Sequence, residues 1–235
     1  MHTQIRTART TGLFYLGIAI TGLSGYLLVR PQLFIDGDAA ATVARLVEHE
    51  SLARIGIVLE LLVVLTQALA ATWFYRLFRT ADDFAAGCIA AFGLVNAGAI
   101  LGSVALSATA LEVALTPIGD PATAYILYAV GGNLWSVGGL FFGLWLIPMG
   151  WCVLRSRWMP RPLGLLLVGG GVSYTVSAFV PYLVPDGEAI AFVLALAATV
   201  AEFWMIGYLL VRGISGHARD SRDTAVPPLP APSDA

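Results

Sequence analysis

Residues 53–75 read ARIGIVLELLVVLTQALAATWFY, a run whose only charges are Arg54 at its head and Glu60 within it. About 20 such residues cross the ~30 Å hydrocarbon layer as a helix, because a helix satisfies its own backbone groups without water. Five more stretches of the same kind follow in the rest of the chain, at 12–29, 85–109, 124–150, 163–184 and 189–211. An apolar fraction of 58% and a charged fraction of 12% depart from soluble averages of roughly 45–50% and 25%. The expected fold is all-α, a polytopic six transmembrane helix bundle over residues 1–212 with the lipid bilayer as its main partner.

Orientation follows from the arginines, since short loops keep positive charge on the cytoplasmic side. With the N-terminus inside, the inner segments hold Arg6, Arg9, Arg76, Arg79, Arg155, Arg157, Arg161, Arg212, Arg219 and Arg222, against Arg30, Arg45 and Arg54 outside. This bias predicts an N-in/C-in protein. Arg6 and Arg9 before an apolar run also suggest a signal peptide. Val29-Arg30-Pro31-Gln32 offers no small-residue cleavage site, however, so a retained first helix is expected. All thirteen basic residues are arginine, which fits a GC-rich bacterial genome, and the expected location is the bacterial plasma membrane.

The outer loop 30–52 is the only long one. Asp38 is placed to cap a short amphipathic helix whose apolar side would carry Ala41, Ala44, Leu46 and Val47. Thr116–Pro117 and Asp120–Pro121 stop and restart helices in the loop 113–123. From Gly213 to Ala235 the chain is polar and rich in Pro, Ser, Asp and Ala, the composition of a disordered cytoplasmic tail. Gly98-x-x-x-Gly102 and Gly139-x-x-x-Gly143 let helices approach closely. Packing inside one bundle is their first expectation, with a homo-oligomer or a membrane partner as the other.

Several functions are excluded or disfavoured. A net charge of −2 gives no footprint for nucleic acid. His2, His49 and His217 all lie outside the predicted spans, and no span carries lysine, so no haem or retinal linkage is expected. Glu48, His49 and Glu50 are sequential and do not converge on one helix face, which argues against a metal site. Cys88 and Cys152 read as small apolar core residues. No cofactor is expected, and no nucleophile–base pair marks an intramembrane enzyme.

The informative side chains are the polar ones at membrane depth. An isolated carboxylate at the bilayer centre costs roughly 2.5–3.5 kcal/mol on insertion scales, so such residues face the bundle interior and are functional candidates by default. Glu60 in the second span and Glu202 in the sixth meet this description. Candidate partners are Gln67 on the face of Glu60, Asn96 with Ser103 and Ser107 in the third span, Asn133 with Ser136 in the fourth, and Tyr174 between Ser173 and Ser177 in the fifth. Counting 1.5 Å per residue, Glu60 and Glu202 differ in depth by roughly 5–10 Å. Arg54 stands at the outer mouth, within reach of Glu60 or Glu112.

The order of these segments resembles a bacterial membrane family, the domain of unknown function 4386. The resemblance rests on Arg6-Thr-Ala-Arg9-x-x-Gly12-Leu-x-Tyr15, Arg54-Ile-Gly-Ile-Val-Leu-Glu60, Gly139-Leu-Phe-Phe-Gly-Leu144, Pro160-Arg-x-Leu-Gly164 and Ala201-Glu202 with Leu209-Leu-Val-Arg-Gly213. It implies a six-helix integral membrane protein and brings no established activity. Nothing in the chain names a small-molecule ligand. The leading expectation is a small transporter or proton-coupled permease subunit that uses Glu60 and Glu202. The alternative is a non-catalytic membrane scaffold or partner-binding protein.

Overall fold

Asp38, Asp82 and Asp120 start three helices in the same way. Asp38 accepts from the Ala41 N–H at 2.8 Å, Asp82 from that of Ala85 at 3.1 Å, and Asp120 from those of Ala122 and Thr123 at 3.2 Å. Each satisfies donors that a helix start leaves orphaned. The computed structural model describes residues 2–116 and 119–214. In order, the helices are α1 (His2–Leu23), a π-helical stretch (Ser24–Val29), α2 (Arg30–Leu33), α3 (Ala39–Glu48), α4 (Glu50–Phe78), α5 (Asp83–Leu115), α6 (Pro121–Ser156), α7 (Arg161–Ser177), α8 (Val180–Leu183) and α9 (Glu188–Val211).

Among the described residues, six helical segments are long and apolar enough to cross a membrane: Gln4–Leu33, Glu50–Phe78, Asp83–Leu115, Pro121–Ser156, Arg161–Leu183 and Glu188–Val211. They pack as a ring in chain order, α1–α4–α5–α6–α7–α9, which α9 closes against α1. Tyr15, Phe74, Phe78, Trp145, Leu146, Met149, Leu163 and Met205 fill the core. Two glycines show how near the helices come. A Cβ on Gly143 would stand 2.7 Å from the Thr175 backbone nitrogen, and one on Gly170 would stand 2.9 Å from the Ala198 Cα. Gly102 and Gly139 likewise meet Leu134 and Tyr174 inside the bundle, whereas Gly98 faces open space.

The first span corrects the expectation that it ends at Val29. Pro31 has no N–H to give the Leu27 carbonyl, and its ring crowds an ideal α-turn. The helix widens instead of breaking: the Arg30 N–H bonds the Gly25 carbonyl, five residues back, and the Gln32 side chain donates to the Leu28 carbonyl at 2.5 Å. The helix runs on through Leu33. Arg30 therefore belongs to the bundle and not to the loop that follows the first span. In α3 the buried side is Thr42 and Leu46, while Ala44 and Val47 are exposed.

At the other end, Trp151 donates to Asp82 at 3.1 Å and Arg155 stands 3.6 Å from it, tying α6 to the start of α5. The Ala85 N–H, helped by Trp151, holds the Asp82 carboxyl below its ordinary value. Gly213 turns with φ 67° and Ile214 is buried in the core, packed back on the bundle. The expected tail therefore cannot begin before Ser215, and its remainder lies outside the described residues.

Candidate functional site

Glu60 sits on α4 ten residues from its start, about 15 Å down the helix. It lines a narrow cleft with Arg30, Gly25, Val29, Gly56, Ser107 and Tyr128. The π-helical stretch places Arg30 here. Its guanidinium donates to the Tyr128 carbonyl at 3.3 Å and lies 4.8 Å from the Tyr128 ring centre and 5.5 Å from that of Phe34. Gly132 is glycine because the guanidinium occupies the place of a Cβ there. Arg30 lines the same cleft as Glu60, yet the two form no ion pair among the described residues. About 10 Å³ is free in the cleft, roughly one water molecule.

Glu202 has a different setting. The Tyr15 hydroxyl donates to its Oε1 at 2.5 Å, joining α1 to α9. Tyr15 is itself held between Phe74 and Trp145, edge-on to both at 5.3 and 5.4 Å. Tyr174 lies against Gly139 and edge-on to Phe142, with no hydrogen bond to Glu202 among the described residues. Along the first span, Gly25 of the π-helical stretch faces Leu59 while Tyr15 of α1 holds Glu202. Ten residues of helix separate these points, about 15 Å. The two carboxylates thus occupy separate levels and do not touch.

The space between them is polar. Gly93 of α5 lies against Ala71 of α4, and these helices run antiparallel. Gln67 is therefore level with Ala97, beside Asn96, and Glu60 is level with Val104, between Ser103 and Ser107. Gly131 brings α6 against Ser103 and Ser107, and Trp145 packs on Gly93. Glu60 Oε2, both amide atoms of Gln67, Ser103 Oγ, Ser107 Oγ and Trp145 Nε1 are buried without a hydrogen-bond partner among the described residues. Buried polar groups are seldom left so. They mark a row of donors and acceptors that descends from the Glu60 cleft to the aromatic cage around Tyr15.

The sequence reading meets this geometry unevenly. Glu60 and Ser107 line one cleft, Gln67, Asn96 and Ser103 stand at neighbouring levels of α4 and α5, and Asn96 Oδ1 is directed at Gly138 of α6. Asn133 does not join them: it is exposed on the outer surface of α6, and Ser136 bonds its own helix at the Gly132 carbonyl. Gly131, Gly132 and Gly138 form the buried side of that helix, because only glycines admit α5 and Arg30 there. Arg54 pairs with Glu50 at 2.7 Å, not with Glu60 or Glu112. Arg30, Tyr15, Tyr128 and Trp145 were missed as partners. Their signals were the Gly131–Gly132 pair and an interior tyrosine, neither of which says what will face it.

A closed ring of six apolar helices with carboxylates held inside it defines a polytopic membrane protein. The chain belongs to the family described as Domain of unknown function (DUF4386), whose model matches residues 10–213. No curated protein and no solved structure matches it.

Proposed function

We propose that the chain is a small proton-coupled transporter or permease subunit in which Glu60 and Glu202 take up and release a proton or a cationic solute. The observation that supports this reading best is the row of buried polar atoms, unpartnered among the described residues, between the two carboxylates. In hydrocarbon such groups are costly unless something bonds them. A solute or a file of waters would bond every one. Glu60 opens to the Arg30 cleft at one level and Glu202 is gated by Tyr15 at another, so a proton has an acceptor at each end of the row. In this reading both termini lie in the cytoplasm of a bacterial cell. Moving Arg30 into the bundle leaves only Arg45 and Arg54 as outer arginines, which strengthens the charge bias.

The test is proton uptake by liposomes that contain the purified protein, read with an enclosed pH-sensitive dye under an imposed potential. Glu60→Gln and Glu202→Gln each keep size and polarity, and each is expected to abolish uptake while detergent melting is nearly unchanged. Uptake equal to that of the parent protein in both variants would refute the reading. If both variants unfold instead, the carboxylates serve as structure, and the non-catalytic scaffold takes its place.

A further inference from the structure

At the opposite end of the bundle from the Glu60 cleft, α1 and α4 part to form a second cleft of about 260 Å³, lined by Arg6, Thr7, Thr10, Trp73 and Arg76. The register explains the grouping. Gly17 faces Thr66 and the helices are antiparallel, which brings Thr10 level with Trp73. Arg6 and Thr10 stand one turn apart on α1, and Trp73 and Arg76 one turn apart on α4. Both guanidiniums are exposed. Neither has an ion pair among the described residues, whereas Arg54 and Arg155 do. No acidic side chain lines the cleft among the described residues.

Two like charges share this hollow, and an anion between them removes their repulsion. Trp73 is half-buried and edge-on to Phe14 at 5.4 Å, the placement of an indole at the boundary of head groups and acyl chains. Leu13, one turn deeper than Thr10, is 59% exposed and offers apolar surface next to the charged end. We infer that this cleft binds the phosphodiester head group of an anionic phospholipid from the leaflet at this end of the bundle. Arg6 and Arg76 grip the phosphate oxygens, the Thr10 hydroxyl donates a third bond, and the first acyl carbons lie over Trp73 and Leu13. Free phosphate carries the same charge but has nothing to set against Trp73 and Leu13, so the lipid is the occupant.

Native mass spectrometry of the delipidated full chain in neutral detergent tests this. Phosphatidylglycerol and phosphatidylcholine are titrated separately, and inorganic phosphate is added in excess as competitor. Phosphatidylglycerol is expected to bind in preference to phosphatidylcholine. The variant Arg6→Gln/Arg76→Gln should weaken it about fivefold per arginine, about 25-fold together. Arg9→Gln/Arg79→Gln, which removes equal charge outside the cleft, should leave it nearly unchanged. Four results would overturn the inference: equal affinity for the two lipids, unaltered affinity in the cleft variant, an equal loss in the control variant, or displacement of the lipid by phosphate.

Discussion

Gly132→Ala ought to destabilise the protein, although helix propensity alone says the reverse. Replacing glycine by alanine inside a helix adds roughly 0.5–1 kcal/mol of stability. At Gly132 the new methyl overlaps the Arg30 guanidinium. A guanidinium is the mobile end of a side chain and can swing aside, so the collision itself is cheap. The cost is what Arg30 leaves: its bond to the Tyr128 carbonyl and its place beside the Phe34 and Tyr128 rings. A hydrogen bond to a charged group contributes about 1.5–3 kcal/mol and a cation–π contact about 0.5–2. Set against the propensity gain, the net expected loss is about 1–4 kcal/mol. The assay is reversible unfolding in mixed micelles. Gly98→Ala, where the added carbon meets nothing within 4 Å, serves as the control and should be neutral or stabilising. In an Arg30→Ala background Gly132→Ala should lose its penalty, a coupling visible in the double-mutant cycle. A destabilisation that persists in that background, or none in the parent, would refute the account of Gly132.

Other outcomes follow from the same geometry. Tyr15→Phe removes the hydrogen bond that α1 gives Glu202 and is expected to cost about 1–3 kcal/mol; a melting curve identical to the parent's would show that this bond contributes nothing. Gln67→Leu replaces a buried amide that lacks partners among the described residues with a side chain of similar bulk. It should be neutral or stabilising on unfolding yet slow proton uptake in liposomes, and unaltered uptake would remove Gln67 from the row. Asp82 titrates below its ordinary value of 3.8, chiefly through the Ala85 N–H. Its share of stability is therefore complete above that value and fades as the pH falls through the lowered one. Asp82→Asn should flatten the acid limb of the stability profile, and an unchanged limb would assign that limb to other carboxylates.

Much of the architecture is legible in the amino-acid sequence. Length and hydropathy suffice for six spans, because oil admits only segments that bond their own backbone. Asp38 and Asp120 announce helix starts by chemistry that acts within three residues. The acidic candidates are legible for a similar reason, since a carboxylate inside an apolar run is conspicuous wherever its helix ends up. Rotation about the helix axis is not. Asn133 and Gly132 are neighbours in sequence and one step of helix apart in direction, and only the arrival of Arg30 from another span decides that the glycine faces inward. The apolar run of the first span ends at Val29, yet a widened turn carries the helix past Pro31 to Leu33.

The chain by itself thus settled which segments enter the membrane, through backbone hydrogen bonding and apolar length, both local properties. Tertiary structure alone decided which polar groups meet, Tyr15 with Glu202 and Arg30 with the Tyr128 carbonyl, and that Asn96 turns toward Gly138. Those meetings depend on interhelical register and rotation. Both are set by close contacts such as Gly93 on Ala71 and Gly131 on Ser103, between residues far apart in sequence.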